Sequence, residues 1–350
     1  MYTTKLLCMM GMLCACSSLA VAQEKSSWLS TVNDTAYVED LSRQLTVRLF
    51  ESHKYGYFSV FDKDSHKRLT YLSHTPYNFG IGANYRSIGI NLGFNFPFIN
   101  NGSKEKYGKP KYLDLQTHVY LRKWLVDAYL QFYRGYYLTD PEGTLNNYKE
   151  DGLHARRPDL KSTSGGLNVT YVFNDERFSY RANTIQVDYQ KKSAGSFLVG
   201  ASGMYVNMRG DSAIVPANTK DDFMNGLQYD RANTFQLTVS AGYGYTVVIA
   251  KHFFITGVVT LGAGANTNST RMMADNNREH GYGFAWNNML RLGVGYNSTR
   301  YFAGLHWENF DTHNGISSTN AYEGYGTGNL RVSLARRFNV KRLNGRSHKE

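Results

Sequence analysis

From Tyr77 to Phe98 the chain reads YNFGIGANYRSIGINLGFNFPF, and nearly every second side chain is large and apolar. Tyr77, Phe79, Ile81, Ala83 and Tyr85 alternate with Asn78, Gly80, Gly82 and Asn84. After Arg86-Ser87 the pattern resumes, with Ile88, Ile90, Leu92, Phe94, Phe96 and Phe98 set against Gly89, Asn91, Gly93 and Asn95. A strand points successive side chains to opposite faces, so each half has one apolar face and one small, polar face. The two halves predict a hairpin with a very short turn, and each is long enough to cross a bilayer as a tilted strand.

Beyond the N-terminus no apolar run approaches the roughly 20 residues of a membrane helix, so any crossing of a bilayer must be made by strands. The 27 tyrosines, 19 phenylalanines and 33 glycines suit strands, tight turns and interfacial aromatic belts. Residues 1–22 read as an export signal. Lys5 is its positive end, Leu6 to Leu13 its apolar stretch, and Ala20-Val21-Ala22 its small-residue cleavage site. Leu13-Cys14-Ala15-Cys16 offers lipoprotein processing as the rival, with the less well-formed site. Cys8, Cys14 and Cys16 all fall before the cut at Ala22, so the mature chain is expected to hold no disulfide, no thiolate metal site and no cysteine nucleophile. The formal charge of +11 falls only to +10 with Lys5 removed. No basic run interleaved with aromatics forms a nucleic-acid module, so a basic lumen or anionic lipid headgroups are the expected use of that charge.

The hairpin pattern recurs along the chain. Residues 23–43 are a polar lead-in, and residues 44–338 carry the strands. The first runs over 44–61 with a bulge or kink near Ser52-His53, and 62–75 reads as a charged loop. Strands follow at 112–122, 126–137, 167–173, 234–249, 253–265, 282–296, 301–310 and 330–338, with long loops at 139–163 and 210–231. One strand within 178–208, about 192–208, keeps every long loop on one side and every short turn on the other. Residues 178–190 then become an interfacial elbow at the short-turn side. The expectation is an all-β transmembrane antiparallel barrel of about twelve strands with both termini in the periplasm. A basic tail, residues 339–350, follows Phe338. The aromatic end of the last strand resembles an insertion signal for outer-membrane barrels, and outer-membrane lipids and the insertion machinery are the expected partners. A soluble β-sandwich is the rival architecture. The polar face speaks against it, being built from Gly, Asn, Thr, Gln and Tyr and not from Lys and Glu.

No catalytic motif is complete. Gly80-Ile81-Gly82 and Gly262-Ala263-Gly264 lack a third glycine and a following helix, and Gly200-Ala201-Ser202-Gly203 misses the spacing of a nucleophile elbow. Asp275, Asn277 and Glu279 do not fit a calcium loop, because Gly281 is misplaced. No metal or cofactor is expected. Strand parity puts Asp114, His118, Arg122, Asp127, Gln131, Arg291, His306 and Glu308 on the inward face. If the strands at Asp114 and Asp127 pair as a hairpin, Arg122 faces Asp127 and His118 faces Gln131. These groups either fill the lumen and satisfy one another, as in a structural envelope barrel, or line a lumen that binds or passes a small polar or anionic solute, as in a binding protein or transporter. A lipid-modifying hydrolase or acyltransferase is the enzymatic alternative, built from His306, Glu308, Asp311, His313 and Ser317. Parity sets His306 and His313 on opposite faces, which weakens it.

Several stretches resemble an exported family of Gram-negative bacteria, catalogued as domain of unknown function 4421. They are the opening hairpin, YGKPKYLDLQ (Tyr107 to Gln116), QFYRGYY (Gln131 to Tyr137) and RFSYRANTIQVDYQKKSAGSFLVG (Arg177 to Gly200). The resemblance covers most of the mature chain. It implies an outer-membrane β-barrel, with no activity and no assigned site.

Overall fold

A computed structural model describes residues 32–340, apart from 74, 87, 97–106, 109–110, 150–154, 221–222, 224–227 and 317–319. The export signal (1–22) and nearly all of the basic tail lie outside the described residues, as do Ser317 and Phe98. In chain order the strands are β1 (Val38–Asp40), β2 (Gln44–Asp62), β3 (Lys67–Ser73), β4 (Tyr77–Tyr85), β5 (Ile88–Asn95), β6 (Lys111–Tyr120) and β7 (Trp124–Leu138). The one-turn helix α1 (Pro141–Thr144) precedes β8 (Arg156–Val172). The one-turn helix α2 (Tyr180–Thr184) precedes β9 (Asp188–Gln190), β10 (Ala194–Arg209), β11 (Tyr229–Ile249), β12 (Phe253–Met272), β13 (Arg278–Asn297), β14 (Tyr301–Ile316) and β15 (Ala321–Asn339).

Strict alternation produces strands because only an extended chain can bury one set of residues and expose the other. In β11, Phe235, Leu237, Val239, Tyr243, Tyr245 and Val247 point outward, while Thr234, Gln236, Thr238 and Thr246 are buried inside. The long strands share this apolar outer face, and the inside is largely polar between buried apolar clusters such as that of Phe58, Tyr136 and Met208. Val239 is 70% exposed, Phe197 69%, Leu261 64% and Leu334 58%. That inversion is the opposite of a sandwich, which hides its apolar face between two sheets.

The ladders close on themselves. Ten strands form an unbroken antiparallel circuit in the order β2, β3, β7, β8, β10, β11, β12, β13, β14, β15 and back to β2. Three more, β4, β5 and β6, lie outside this circuit: β4 extends from β2, β5 from β4, and β6 from β7. This corrects the expected single ring of about twelve strands. The difference arises because β2 changes partner along its length, pairing with β3 from Gly56 to Asp62 and with β4 from Thr46 to His53. β3 reaches past the short strands β5 and β6 to pair Tyr71 with Leu138 and Leu72 with Tyr137 on β7. β3 occupies the stretch expected to be a charged loop.

Other boundaries also move. β2 runs without a register break against β15, so no bulge interrupts that ladder at Ser52-His53; register shifts fall instead between Tyr229 and Arg231 and between Arg134 and Tyr136, the latter opposite Pro158. Proline has no N–H to give to a ladder, and this shift is where its loss is accommodated. β5 ends at Asn95. β8, β12, β14 and β15 extend well beyond their expected ends into polar, Asn-, Thr- and Gly-rich sequence.

Both ends of the barrel are stoppered. At the long-loop end, Ile214, Val215 and Phe223 from the β10–β11 connection are fully buried against Phe58, Leu69, Tyr71, Tyr136 and Tyr229. Tyr71 donates to the Ile214 carbonyl at 2.6 Å, and the Ile214 N–H donates to the Tyr229 carbonyl at 2.7 Å. At the short-turn end, residues 178–190 are not an interfacial elbow. They are touched by side chains from β2, β4, β11, β12, β13 and β15, which places them within the ring. Ser179 caps α2 by accepting from the Ala182 N–H, and its hydroxyl donates to Asp188 at 2.7 Å. β9 pairs with β1, so part of the polar lead-in is a strand that ties down the stopper.

Candidate functional site

The inward face of the hairpin β6–β7 carries the densest set of titratable groups. The ladder pairs His118 with Asp127 and Asp114 with Gln131. The expected pairing of Arg122 with Asp127 and of His118 with Gln131 is therefore displaced along the strand. The reason is the turn: Trp124 already belongs to β7, so only Leu121 to Lys123 lie between the strands. Arg122 falls out of the lumenal set. Its guanidinium meets Asp40 at 3.0 Å and Asp188 at 3.7 Å, beside the lower stopper.

Asp127 is the hub. One carboxylate oxygen is 2.7 Å from His118 Nδ1 and also accepts from the Tyr120 hydroxyl. The other accepts from Arg291 at 3.3 Å, across the lumen from β13. Arg291 and Glu308 are register partners on β13 and β14, and Arg291 Nε lies 3.4 Å from the Glu308 carboxylate. Arg291 also sits over the ring of Tyr180 in the lower stopper, 5.4 Å from its centre. The lumen is thus bridged at mid-height by a chain running His118, Asp127, Arg291, Glu308. His118 and Glu308 keep about a third of their side-chain surface accessible, at 34% and 35%, so the ends of this chain are not sealed in the protein interior.

A second bridge lies nearer the long-loop end. Asp114 accepts from Tyr133 at 2.9 Å and from Gln131 at 3.2 Å, and Lys54 reaches it from β2 at 3.4 Å. Gln131 in turn joins Ser164 and Tyr325, which are 2.8 Å apart. Above these, Asn287 donates to Thr238 at 2.6 Å and to Ser202 at 3.2 Å, while Thr312 donates to Gln236. Buried polar groups need such partners, and here neighbouring strands supply most of them. A void of about 10 Å³ beside Glu323 and Thr234 is large enough for roughly one water molecule.

The proposed catalytic set does not assemble. His306 and Glu308 face the lumen, whereas Asp311 and His313, of opposite parity, lie on the outer face of the same strand. Asp311 and His313 belong to an outer aromatic ladder. Trp307 donates to Tyr55 at 3.0 Å, Tyr55 to Asn309 at 2.7 Å, Asn309 to Asp311 at 2.7 Å, and Tyr57 to Asp311. His313 stacks on Trp286 at 3.9 Å. Tyr55 and Tyr57 reach β14 by lying across Gly328 and Gly326 of β15, where a Cβ would strike their rings. Asp275 is engaged locally, accepting from the Asn277 N–H at 2.9 Å, and no metal-binding cluster occurs among the described residues.

Sequence reasoning missed the arginines of the lower lumen. Arg48 donates to Gln186 and to Asn91, the latter at 2.7 Å, across Gly82 of β4. Arg331 donates to the Thr184 carbonyl at 3.2 Å, and Arg337 to the Gln186 carbonyl at 2.9 Å. The alternation of β2 and β15 already carried the signal that these three face inward. What they would face, the segment around Gln186, showed no alternation at all.

The family described as domain of unknown function DUF4421 matches residues 32–338. The chain belongs to this family. No match is found among curated proteins. Among solved structures, the Escherichia coli outer membrane protease OmpT is similar at 10% identity, covering 86% of this chain and 98% of that one, with a TM-score of 0.37. The Pseudomonas putida toluene transporter TodX is similar at 9% identity, covering 88% and 96%, with a TM-score of 0.24.

Proposed function

We propose that this DUF4421 chain is an outer-membrane barrel whose lumen holds a small polar or anionic solute and does not conduct. The observation that carries the reading is the pair of stoppers, with the Asp127–Arg291 bridge between them. An open pore needs a continuous aqueous path, and side chains from opposite walls meet across this one. The band of exposed Val, Leu, Ile and Phe around every long strand supports a lipid surround, since water-soluble monomers rarely leave so much contiguous apolar surface bare. Strands of 15 to 21 residues, from β7 to β15 on the closed circuit, are more than long enough to cross. In this reading residues 1–22 direct export, the short turns and both termini face the periplasm, and the strand ending at Phe338 engages the insertion machinery. The lipid hydrolase or acyltransferase alternative loses its geometric basis with the separation of His306 from His313.

Planar-bilayer recording of the refolded mature chain tests this. No steady ohmic conductance is expected from the wild type. Arg337→Gln, which removes the bonds to the Gln186 and Ser298 carbonyls, is expected to free the lower stopper and produce intermittent openings. Steady wild-type conductance would refute the closed lumen.

A further inference from the structure

The polar atoms left without partners in the lower lumen are not scattered. His306 on β14 and Arg331 on β15 are register partners, and Ser333 is the next inward residue on β15. Arg48 projects inward from β2, the strand on the other side of β15. Among the buried atoms that meet no hydrogen-bond partner are both ring nitrogens of His306, Nε of Arg331, Nε of Arg48 and Oγ of Ser333. Five such atoms thus sit on the inner face of three adjacent strands.

Their chemistry is one-sided. Both guanidinium groups can only donate, a serine hydroxyl can donate, and an imidazole donates through at least one nitrogen. Arg48 and Arg331 spend their other donors on neutral oxygens, those of Gln186, Asn91 and Thr184. The carboxylates of this end are engaged elsewhere: Asp40 and Asp188 with Arg122 and Arg181, Asp127 and Glu308 with Arg291. Arg48, Arg331 and His306 nevertheless lie close enough together to feel each other's charge. Water could accept some of these donors, yet it would bring no charge to the almost fully buried Arg48, and the half-buried Arg331 feels only the Glu308 carboxylate, which is already shared with Arg291. Buried cations so poorly balanced are costly in a low-dielectric interior. A compact oxyanion accepts several N–H and O–H donors at once and supplies the missing charge.

We infer that Arg48, Arg331, His306 and Ser333 form a binding site for a free, compact oxyanion of the phosphate or carboxylate class. This deepens the solute-binding reading above by naming the solute's chemistry and the residues that take it. Gly82 is part of the design: any side chain there would press on Arg48 and Asn91, closing the approach between them. Asn91 itself is exposed and touches Arg48, which gives the site an accessible edge.

The test uses the full mature chain refolded in non-ionic detergent free of phospholipid, with sodium chloride holding ionic strength constant. Inorganic phosphate, and in a second arm acetate, is titrated while the thermal unfolding midpoint is read. A saturable upward shift with at least one of the two is expected. Arg331→Gln and Arg48→Gln should weaken it at least tenfold, and Ser333→Ala several-fold in a barrel that still folds. Arg336→Gln, on the outer face of β15, should leave it unchanged. No shift beyond the chloride control, equal affinity in wild type and Ser333→Ala, or a shift seen only when anionic phospholipid is added would each overturn the site. Such a failure alongside a non-conducting lumen leaves the closed barrel standing, whereas steady conductance removes that reading whatever phosphate does.

Discussion

Replacing Asp127 separates a working lumenal bridge from a passive filler. The carboxylate takes bonds from His118, Tyr120 and Arg291, and it is only 7% exposed. Breaking a buried charge pair by removing one partner costs about 3–5 kcal/mol when the other charge is stranded. Arg291 is not stranded here, because Glu308 remains 3.4 Å away, so Asp127→Asn should cost about 2 kcal/mol. Glu308→Gln alone should cost less, about 1 kcal/mol, since its side chain is 35% exposed and Asp127 still faces the arginine. The double substitution leaves Arg291 with no carboxylate. It should exceed the sum of the single effects by about 1–2 kcal/mol, the coupling expected of groups sharing one partner. Urea unfolding in detergent, followed by tryptophan fluorescence, reads this directly. With a slope of about 2–3 kcal/mol per M, Asp127→Asn lowers the midpoint by roughly 0.7–1 M. Single effects that add to within about 0.5 kcal/mol would refute the bridge as a coupled unit.

Two further expectations concern the outer ladder and the lower stopper. Gly326→Val should push Tyr57 off Asp311 and cost about 1–3 kcal/mol of stability, checked by the temperature at which the folded band is lost on a heat-modifiability gel. Asp40, outside the membrane-spanning strands, is pushed up by burial, but hydrogen bonding from Ser42 and the charges of Arg181 and Arg122 outweigh this and hold it below its ordinary 3.8. Its contribution is therefore present above that value and lost as pH falls through the lowered one. Amide exchange at Val38–Asp40 and Asp188–Gln190 should accelerate relative to the barrel strands as pH drops below about 4, and Asp40→Asn should abolish the difference. An unchanged acid profile in that variant would show that Asp40 does not hold β1 to β9.

What could be read from the sequence follows from where an apolar outside meets a polar inside. Phe235 to Val247 alternates because lipid-facing and lumen-facing positions differ in polarity, and β11 was legible nearly to its ends. Asn266 to Thr270 and Asp311 to Gly315 belong to equally regular ladders, yet both faces there are polar, so no alternation marks them and they read as loops. The stretch holding β3 was hidden differently: its inward Leu69 and Tyr71 are apolar, but the run is short and follows directly on the charged residues 62–68. Parity, which needs no knowledge of partners, rightly parted His306 from His313. Register does need the turn, and one misplaced turn at Leu121 to Lys123 shifted His118 from Gln131 to Asp127. The stopper at 178–190 was illegible because its conformation is set by the arginines around it and not by its own pattern.

The first and last long strands seal each other along nineteen paired positions, from Gln44 with Asn339 to Asp62 with Ala321. Nothing near in sequence can do this job, so the contact that completes the barrel is also the one with the greatest loop-closure entropy against it. During synthesis β2 emerges first and must wait, its ladder edge bare, until some three hundred residues later its partner arrives. A waiting edge is a template for wrong pairing. Holding β2 apart from other chains until β15 arrives is then as much a requirement for this protein as the stability of the finished barrel.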